Sequence, residues 1–128
     1  MIIYTDGRNK PDITMGNYSI NMSRSTIQSQ TGNYVKIGNI VFASVILKIS
    51  ATTTNNDYFT LPSSVPQIDT NKQAFGAWHT FSGNGYGSIQ NSNNSNFWFI
   101  YNNAEYNVGQ KTINDGGKLV LTVVYFTN

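Results

Sequence analysis

Two segments of the chain, 40–50 and 118–127, are apolar on both faces. In an extended strand successive side chains point to opposite sides, so odd and even positions form separate faces. In the first segment Val41, Ala43, Val45, Leu47 and Ile49 make one face, and Ile40, Phe42, Ser44, Ile46 and Lys48 the other. In the second, Leu119, Leu121, Val123 and Tyr125 stand against Val120, Thr122, Val124 and Phe126. A strand with one wet face alternates apolar with polar residues. These two do not, and a bare apolar face invites aggregation. Either another layer of the same domain covers the second face or a neighbouring subunit does. A chain of 128 residues makes one domain and is too short for three layers, so a subunit is the expected cover.

The rest of the chain reads as short strands punctuated by turns. Gly38-Asn39 between apolar runs is a hairpin signal. Tyr58 to Leu61 is a short strand stopped by Pro62, 73–81 alternates loosely, and Asn84-Gly85 marks a glycine-rich turn. Phe97 to Tyr101, the Asn102-Asn103 turn and Ala104 to Val108 form a second hairpin, with the polar Asn91 to Asn96 run as a loop tip before it. Asp115-Gly116-Gly117 turns into the last strand. No window carries a helical apolar stripe. The expected fold is all-β, an antiparallel β-sandwich of jelly-roll type forming a trimeric head. Residues 1–30, with turn signals at Asp6-Gly7 and Lys10-Pro11-Asp12, are expected to be an arm or linker, in which the Ser/Thr/Gln-rich stretch 23–31 reads as an extended linker or an edge strand, and Tyr34 to Ile37 reads as a strand. Residues 31–128 are then the head. Within the arm, Tyr18, Ile20 and Met22 alternate onto one face.

Composition narrows the function classes. Only 11% of residues are charged, against about 25% in an average protein. The net charge of +2 contains no basic run, so no nucleic-acid partner is expected. No apolar stretch is long enough to span a membrane, so no membrane insertion is expected. The start of the chain has no apolar core of a secretory signal. Cysteine is absent, which removes disulfides and thiolate chemistry. Uncharged amides and hydroxyls dominate instead: 18 Asn, 13 Thr, 12 Ser and 6 Gln. A protein made in a cytosol and working outside it fits these facts.

Catalytic groups are sparse. The chain has one His, His79, one Glu, Glu105, and five Asp. No nucleophile elbow or metal-ligand spacing occurs, so no cofactor or metal is expected. A carboxylate pair from Asp57 and Asp69, or from Asp69 and Glu105, is the one enzymatic arrangement left open. Aromatic residues beside amides are the commoner motif. Rings stack on the apolar CH faces of sugars, and Asn, Asp and His hydrogen-bond their hydroxyls. The candidate ligand contacts are Trp78, His79, Tyr86, Asp69 and Asn91. Four of them have a structural alternative: Trp78 as core, His79 as a local hydrogen-bonding group, Asp69 as a loop cap, and Asn91 as part of a solvated tip. Trp98 faces away from Phe97 and Phe99 and is expected mainly in the core.

The run Gly32-Asn33-Tyr34-Val35-Lys36-Ile37-Gly38-Asn39-Ile40-Val41-Phe42 resembles the opening of a C-terminal domain found on bacteriophage tail fibre, tail spike and baseplate receptor-binding proteins. That family continues into a strand ending in Leu-Pro, here Tyr58-Phe59-Thr60-Leu61-Pro62. It closes on an apolar strand with an aromatic and Thr, here Leu119 to Thr127. The resemblance covers 32–127 in order and spacing, while 63–117 carries no family motif. It implies a homotrimeric β-sandwich head on a virion, made in the host cytoplasm, that attaches to host cell-surface saccharides without catalysis. Other tail or baseplate proteins would join through the N-terminal arm. A purely structural tail or baseplate component, a polysaccharide depolymerase, and a lectin or adhesin outside any phage are the alternatives.

Overall fold

The computed structural model describes residues 12–91 and 95–128. Within them run β1 (Ile13–Asn17), β2 (Asn21–Met22), β3 (Ser25–Ile37), β4 (Ile40–Thr52), β5 (Tyr58–Thr60), β6 (Phe75–Thr80), β7 (Tyr86–Asn91), β8 (Phe97–Tyr101), β9 (Ala104–Glu105), α1 (Val108–Asn114) and β10 (Lys118–Phe126). The fold is all-β. Every pairing is antiparallel, in the order β1-β3-β4-β10-β6-β7-β8-β5-β2, with β9 on the flank of β8. The spacing of the strands led to an expectation of two packed sheets. The bonding path runs instead through one, because β10 pairs with β4 on one side and β6 on the other.

The sheet curls into a half-barrel around its own core. Phe97 in β8 lies 5.8 Å from Tyr125 in β10, although β6 and β7 separate those strands in the sheet. The concave side holds Val41, Val45, Leu47, Leu119, Leu121 and Val123 from the two long strands, facing Phe59, Trp78, Phe97 and Phe99. Each such side chain contributes about 1.5–3 kcal/mol by leaving water. Phe59 stacks on Phe97 at 4.6 Å, and Tyr18 donates its hydroxyl to that of Tyr125 at 3.0 Å. Tyr125 in turn donates to the Pro66 carbonyl at 2.6 Å, fastening the 61–74 loop to β10.

Residues 12–30 do not stand apart as an arm. β3 pairs with β4 along its whole length, from Ser25 opposite Thr52 to Ile37 opposite Ile40, with register shifts near Ile27. Tyr18 and Ile20 are buried in the core, Met22 packs against it, and the Gln30 amide bonds both the N–H and the C=O of Ile20. The Ser/Thr/Gln composition of 23–31 therefore marks a strand with little to bury rather than a linker. The Gly38-Asn39 turn forms as expected, with Gly38 at φ 61° closing a two-residue hairpin. The turns expected at Asp6-Gly7 and Lys10-Pro11, and the middle of the Asn91–Asn96 loop, lie outside the described residues.

One helix forms where a strand was expected to Val108. Asn107 caps it, its side-chain oxygen accepting from the Gln110 N–H at 3.1 Å. Seven residues are too few to show an apolar stripe, but Val108, Gly109 and Thr112 are buried on one side. Thr112 bonds back to the Val108 carbonyl at 2.7 Å.

Candidate functional site

Outside the core, the described residues hold a cleft of about 630 Å³ lined by Gly16, Tyr18, Gln30, Gly32 and Tyr34, and two further surfaces bear on binding. The first is the convex face of the sheet. Register aligns Met15, Val35, Phe42, Val124 and Phe75 as one row across β1, β3, β4, β10 and β6. A second apolar row beside it runs Ile13, Ile37, Ile40, Phe126. Between Phe42 and the small residues Ser44 and Thr122 lies a shallow apolar groove of about 380 Å³. The exposures are high: Met15 is 72% exposed, Phe75 67%, Ile46 47% and Phe42 46%. The described residues cover only one of the two apolar faces that the longest strands carry.

The second surface is a recess between the start of β7 and the β8–β9 hairpin, about 300 Å³ in volume. Tyr86, Gly87 and Ser88 line one side; Ile100, Tyr101 and the Asn102-Asn103 turn line the other. Its origin is local. The β7–β8 ladder begins only at Ser88 opposite Ile100. Beside that point the Trp78 indole N–H donates to the Ile100 carbonyl at 3.1 Å. Gly87 makes the contact possible: a Cβ there would lie 2.0 Å from the Ile100 oxygen and 2.6 Å from the indole nitrogen. Behind the recess Trp78 stacks on Tyr106 at 5.8 Å, and Tyr106 meets Tyr101 at 4.9 Å, so a line of rings runs from the core to the rim.

The five candidate contacts do not form one cluster. Trp78 is 1% exposed and belongs to the core; its single polar atom is engaged by Ile100. Asn91, also 1% exposed, is a staple rather than part of a solvated tip. Its carbonyl oxygen accepts from the Ala74 N–H at 2.7 Å and its NH₂ donates to the Lys72 carbonyl at 3.2 Å. Asp69 caps its own loop, accepting from the Asn71 N–H at 3.0 Å, with the Lys72 ammonium at 3.9 Å. His79 and Tyr86 are exposed cross-strand partners on the convex face, and His79 Nδ1 lies 2.9 Å from the Thr80 carbonyl. Only Tyr86 of the five lines the recess. Trp98 is half-buried on the side opposite Phe97 and Phe99, packed on Tyr58 at 4.5 Å with the Arg24 guanidinium 5.6 Å from that tyrosine ring.

Tyr101, Asn102 and Asn103 were not among the candidates. Their signal was present in the sequence as an aromatic followed by an Asn-Asn turn, but the same residues serve equally as a bare hairpin.

The acidic groups are mostly engaged in structure. Asp57 is fully buried and accepts from Ser23 Oγ at 2.7 Å, the Arg24 N–H at 2.9 Å, Ser25 Oγ at 2.5 Å and the Tyr58 N–H at 3.0 Å. Hydrogen bonds from Ser82 and Thr80, with a further one from Asn84, hold the Asp115 carboxyl down at about 2. Burial pushes the Tyr125 hydroxyl up to about 12, and burial beside Tyr125 raises that of Tyr18 as well. Glu105 is exposed on β9. Among the described residues, no group of three or more His, Asp or Glu could hold a metal ion, and no helix is long and apolar enough to cross a membrane. No protein-family model, curated protein or solved structure matches the chain.

Proposed function

We propose that this chain is a non-catalytic attachment domain, a virion receptor-binding head that associates as a homotrimer through the convex face of its sheet and holds host cell-surface saccharides. The carrying observation is the uncovered apolar row from Met15 to Phe75. The exposed fractions of Ile13, Met15, Ile37, Phe42, Ile46 and Phe75 leave on the order of 600 Å² of apolar side chain in water. A typical monomer's largest patch is ~300–600 Å², and each partner in a standard interface contributes ~800 Å². A second copy of the same face supplies a matching surface, and three copies around an axis bring the β4 and β10 outer faces together. Engagement of Asp57 and Asp69 as internal acceptors supports binding over hydrolysis. A sandwich arrangement would arise where the outer faces of neighbouring sheets stack.

One observation favours a second reading, a structural tail or baseplate component: Trp78 and Asn91 are engaged inside the fold. Binding to isolated bacterial envelopes separates the two, because the structural component would not bind. Three weak sugar sites on one rigid body raise avidity by roughly 10²–10⁴. The test of the whole reading is mass in dilute solution together with envelope binding, for the native chain and for Phe42→Asp. The native chain should have the mass of three copies and bind. Phe42→Asp should be a folded single copy whose envelope binding falls by that avidity factor. A native chain that stays a folded single copy when dilute overturns the assembly, and a trimer that binds no envelope leaves the structural reading.

A further inference from the structure

Resting on the saccharide reading, we propose that the recess between β7 and the β8–β9 hairpin is the sugar subsite, taking one neutral pyranose ring against tyrosine and reading its hydroxyls with the Asn102 and Asn103 amides. The size fits a small ligand, at the lower end of the ~300–1,000 Å³ range of such sites. The lining carries aromatic rings and uncharged polar groups, with no carboxylate, ammonium or guanidinium among its residues. That chemistry favours a ligand with an apolar face and neutral hydroxyls over an acidic or basic one.

Preorganisation is the second support. Tyr101 is braced by Tyr106, which is itself stacked on the buried Trp78, so the ring at the rim is held before any ligand arrives. Holding contact groups in place beforehand lowers the entropic cost of binding. Tyr86, 68% exposed, lines the recess from the other strand, with its ring on the outer face of the sheet and that of Tyr101 on the inner one.

The turn is the third. Asn102 and Asn103, at φ 52° and 63°, are the two non-glycine residues with positive φ among those described. A two-residue hairpin turn of this type needs positive φ at both positions, and glycine meets that need at the second with least strain. Asn in both places keeps two amides at the rim of the recess. Among the described residues neither amide has a hydrogen-bond partner, nor do the Ser88, Tyr86 and Tyr101 hydroxyls. This side-chain hydrogen-bonding capacity is open to a ligand, unlike that of Asn91 and Asp57.

The experiment is an amide-resolved NMR titration of the ¹⁵N-labelled chain with methyl glycosides of glucose, galactose, rhamnose, N-acetylglucosamine and N-acetylgalactosamine. Mannitol, an acyclic polyol without a ring face, is the control. At least one glycoside should give saturable shifts centred on Gly87, Ser88, Asn102 and Asn103, with Kd in the millimolar range, and mannitol should not. The double variant Asn102→Gly, Asn103→Gly preserves the turn geometry and should weaken binding about tenfold, the loss of roughly one or two hydrogen bonds. Tyr86→Ala should weaken it about fivefold or more through the lost ring contact. Saturable shifts centred elsewhere, for instance around Gly16 and Gly32, overturn the recess while leaving the saccharide reading in place. Equal response to mannitol overturns the ring-face contact on which the proposal depends. Absence of shifts with every glycoside overturns the subsite; binding or non-binding to isolated envelopes then decides separately whether the saccharide reading falls with it.

Discussion

Leu47 and Ile46 are neighbours in one strand, similar in size and both apolar, yet Leu47 is fully buried and Ile46 is 47% exposed. The same division runs along β10, where Leu119, Leu121 and Val123 are buried while Val120 and Val124 are half-exposed on the outside. The two faces of this sheet differ little in residue chemistry and greatly in surroundings. Face composition alone therefore fixes how much apolar surface must be covered, not what covers it. The inner face is covered by the curl of the chain. The outer face is left open by the described residues.

The largest expected effect lies on the inner face. Leu47→Ala removes a side chain packed inside the half-barrel and should cost about 2–5 kcal/mol, through lost burial and the cavity left behind. Urea unfolding at low protein concentration measures it. Ile46→Ala, one residue away, should change the unfolding of dilute chain by no more than about 0.5 kcal/mol. A large loss there in a dilute monomer would mean that the two faces are equally committed to the single-chain fold. If the outer face is an interface, the Ile46→Ala effect appears only as concentration rises, as a weaker assembly in sedimentation.

Close behind comes Asp57→Asn, which keeps the shape but replaces one acceptor oxygen with a donor. Four donors, from Ser23, Arg24, Ser25 and Tyr58, converge on this buried carboxylate and tie the β2–β3 connection and the start of β3 to β5. With the charge gone and the Ser25 hydroxyl turned from donor to acceptor, the loss should be about 1–3 kcal/mol. Thermal unfolding checks it. Unchanged stability would show that this corner, unlike the inner apolar face, contributes little.

Much of this organisation was readable from the residues. The double-faced runs at 40–50 and 118–127 located the two central strands, and Gly38-Asn39 and Asn102-Asn103 located hairpins, because period-two alternation and positive-φ turns leave direct marks. The pairing of β10 with both β4 and β6 was not legible. Strand order is set by which edges meet in space, and that information is not local. β3 was legible only in pieces, as a strand over 34–37 and as a linker or edge strand over 23–31, because its polar half buries little, and the Gln30 amide stands in for a ladder partner of Ile20. The site was legible only in part. Tyr86 could be picked from its glycine-rich surroundings, but the recess depends on Gly87 admitting the Trp78 indole to the Ile100 carbonyl, a contact between three separate strands.

Alkaline pH probes the inner side more gently. Tyr125 is pushed up to about 12 by burial, and Tyr18 is raised by burial beside it. A phenol whose folded value lies above its unfolded value of about 10 binds its proton more tightly in the folded state. The stability it contributes is therefore complete below pH ~10 and declines as pH rises from there through about 12. Denaturation followed by tyrosinate absorbance should show this decline, and Tyr125→Phe should make it shallower, the buried Tyr18 supplying the remainder. The variant also leaves the Pro66 carbonyl without its donor, at about 1 kcal/mol at neutral pH.

Acid probes the rim, with the smallest expected effect. Ser82, Thr80 and Asn84 hold Asp115 at about 2, below its ordinary value of 3.8. A carboxylate lowered in the folded state contributes stability that is present above pH ~4 and is lost as pH falls toward about 2. Asp115 stands at the turn into β10, and Thr80 ends β6, so its hydrogen bonds tie together two strands that share the convex face. Asp115→Asn should remove the pH dependence in that window while leaving mass in solution unchanged at neutral pH. If the proposed assembly forms, a variant that dissociates it at neutral pH would show that the turn, and not only the apolar rows, takes part in the contact.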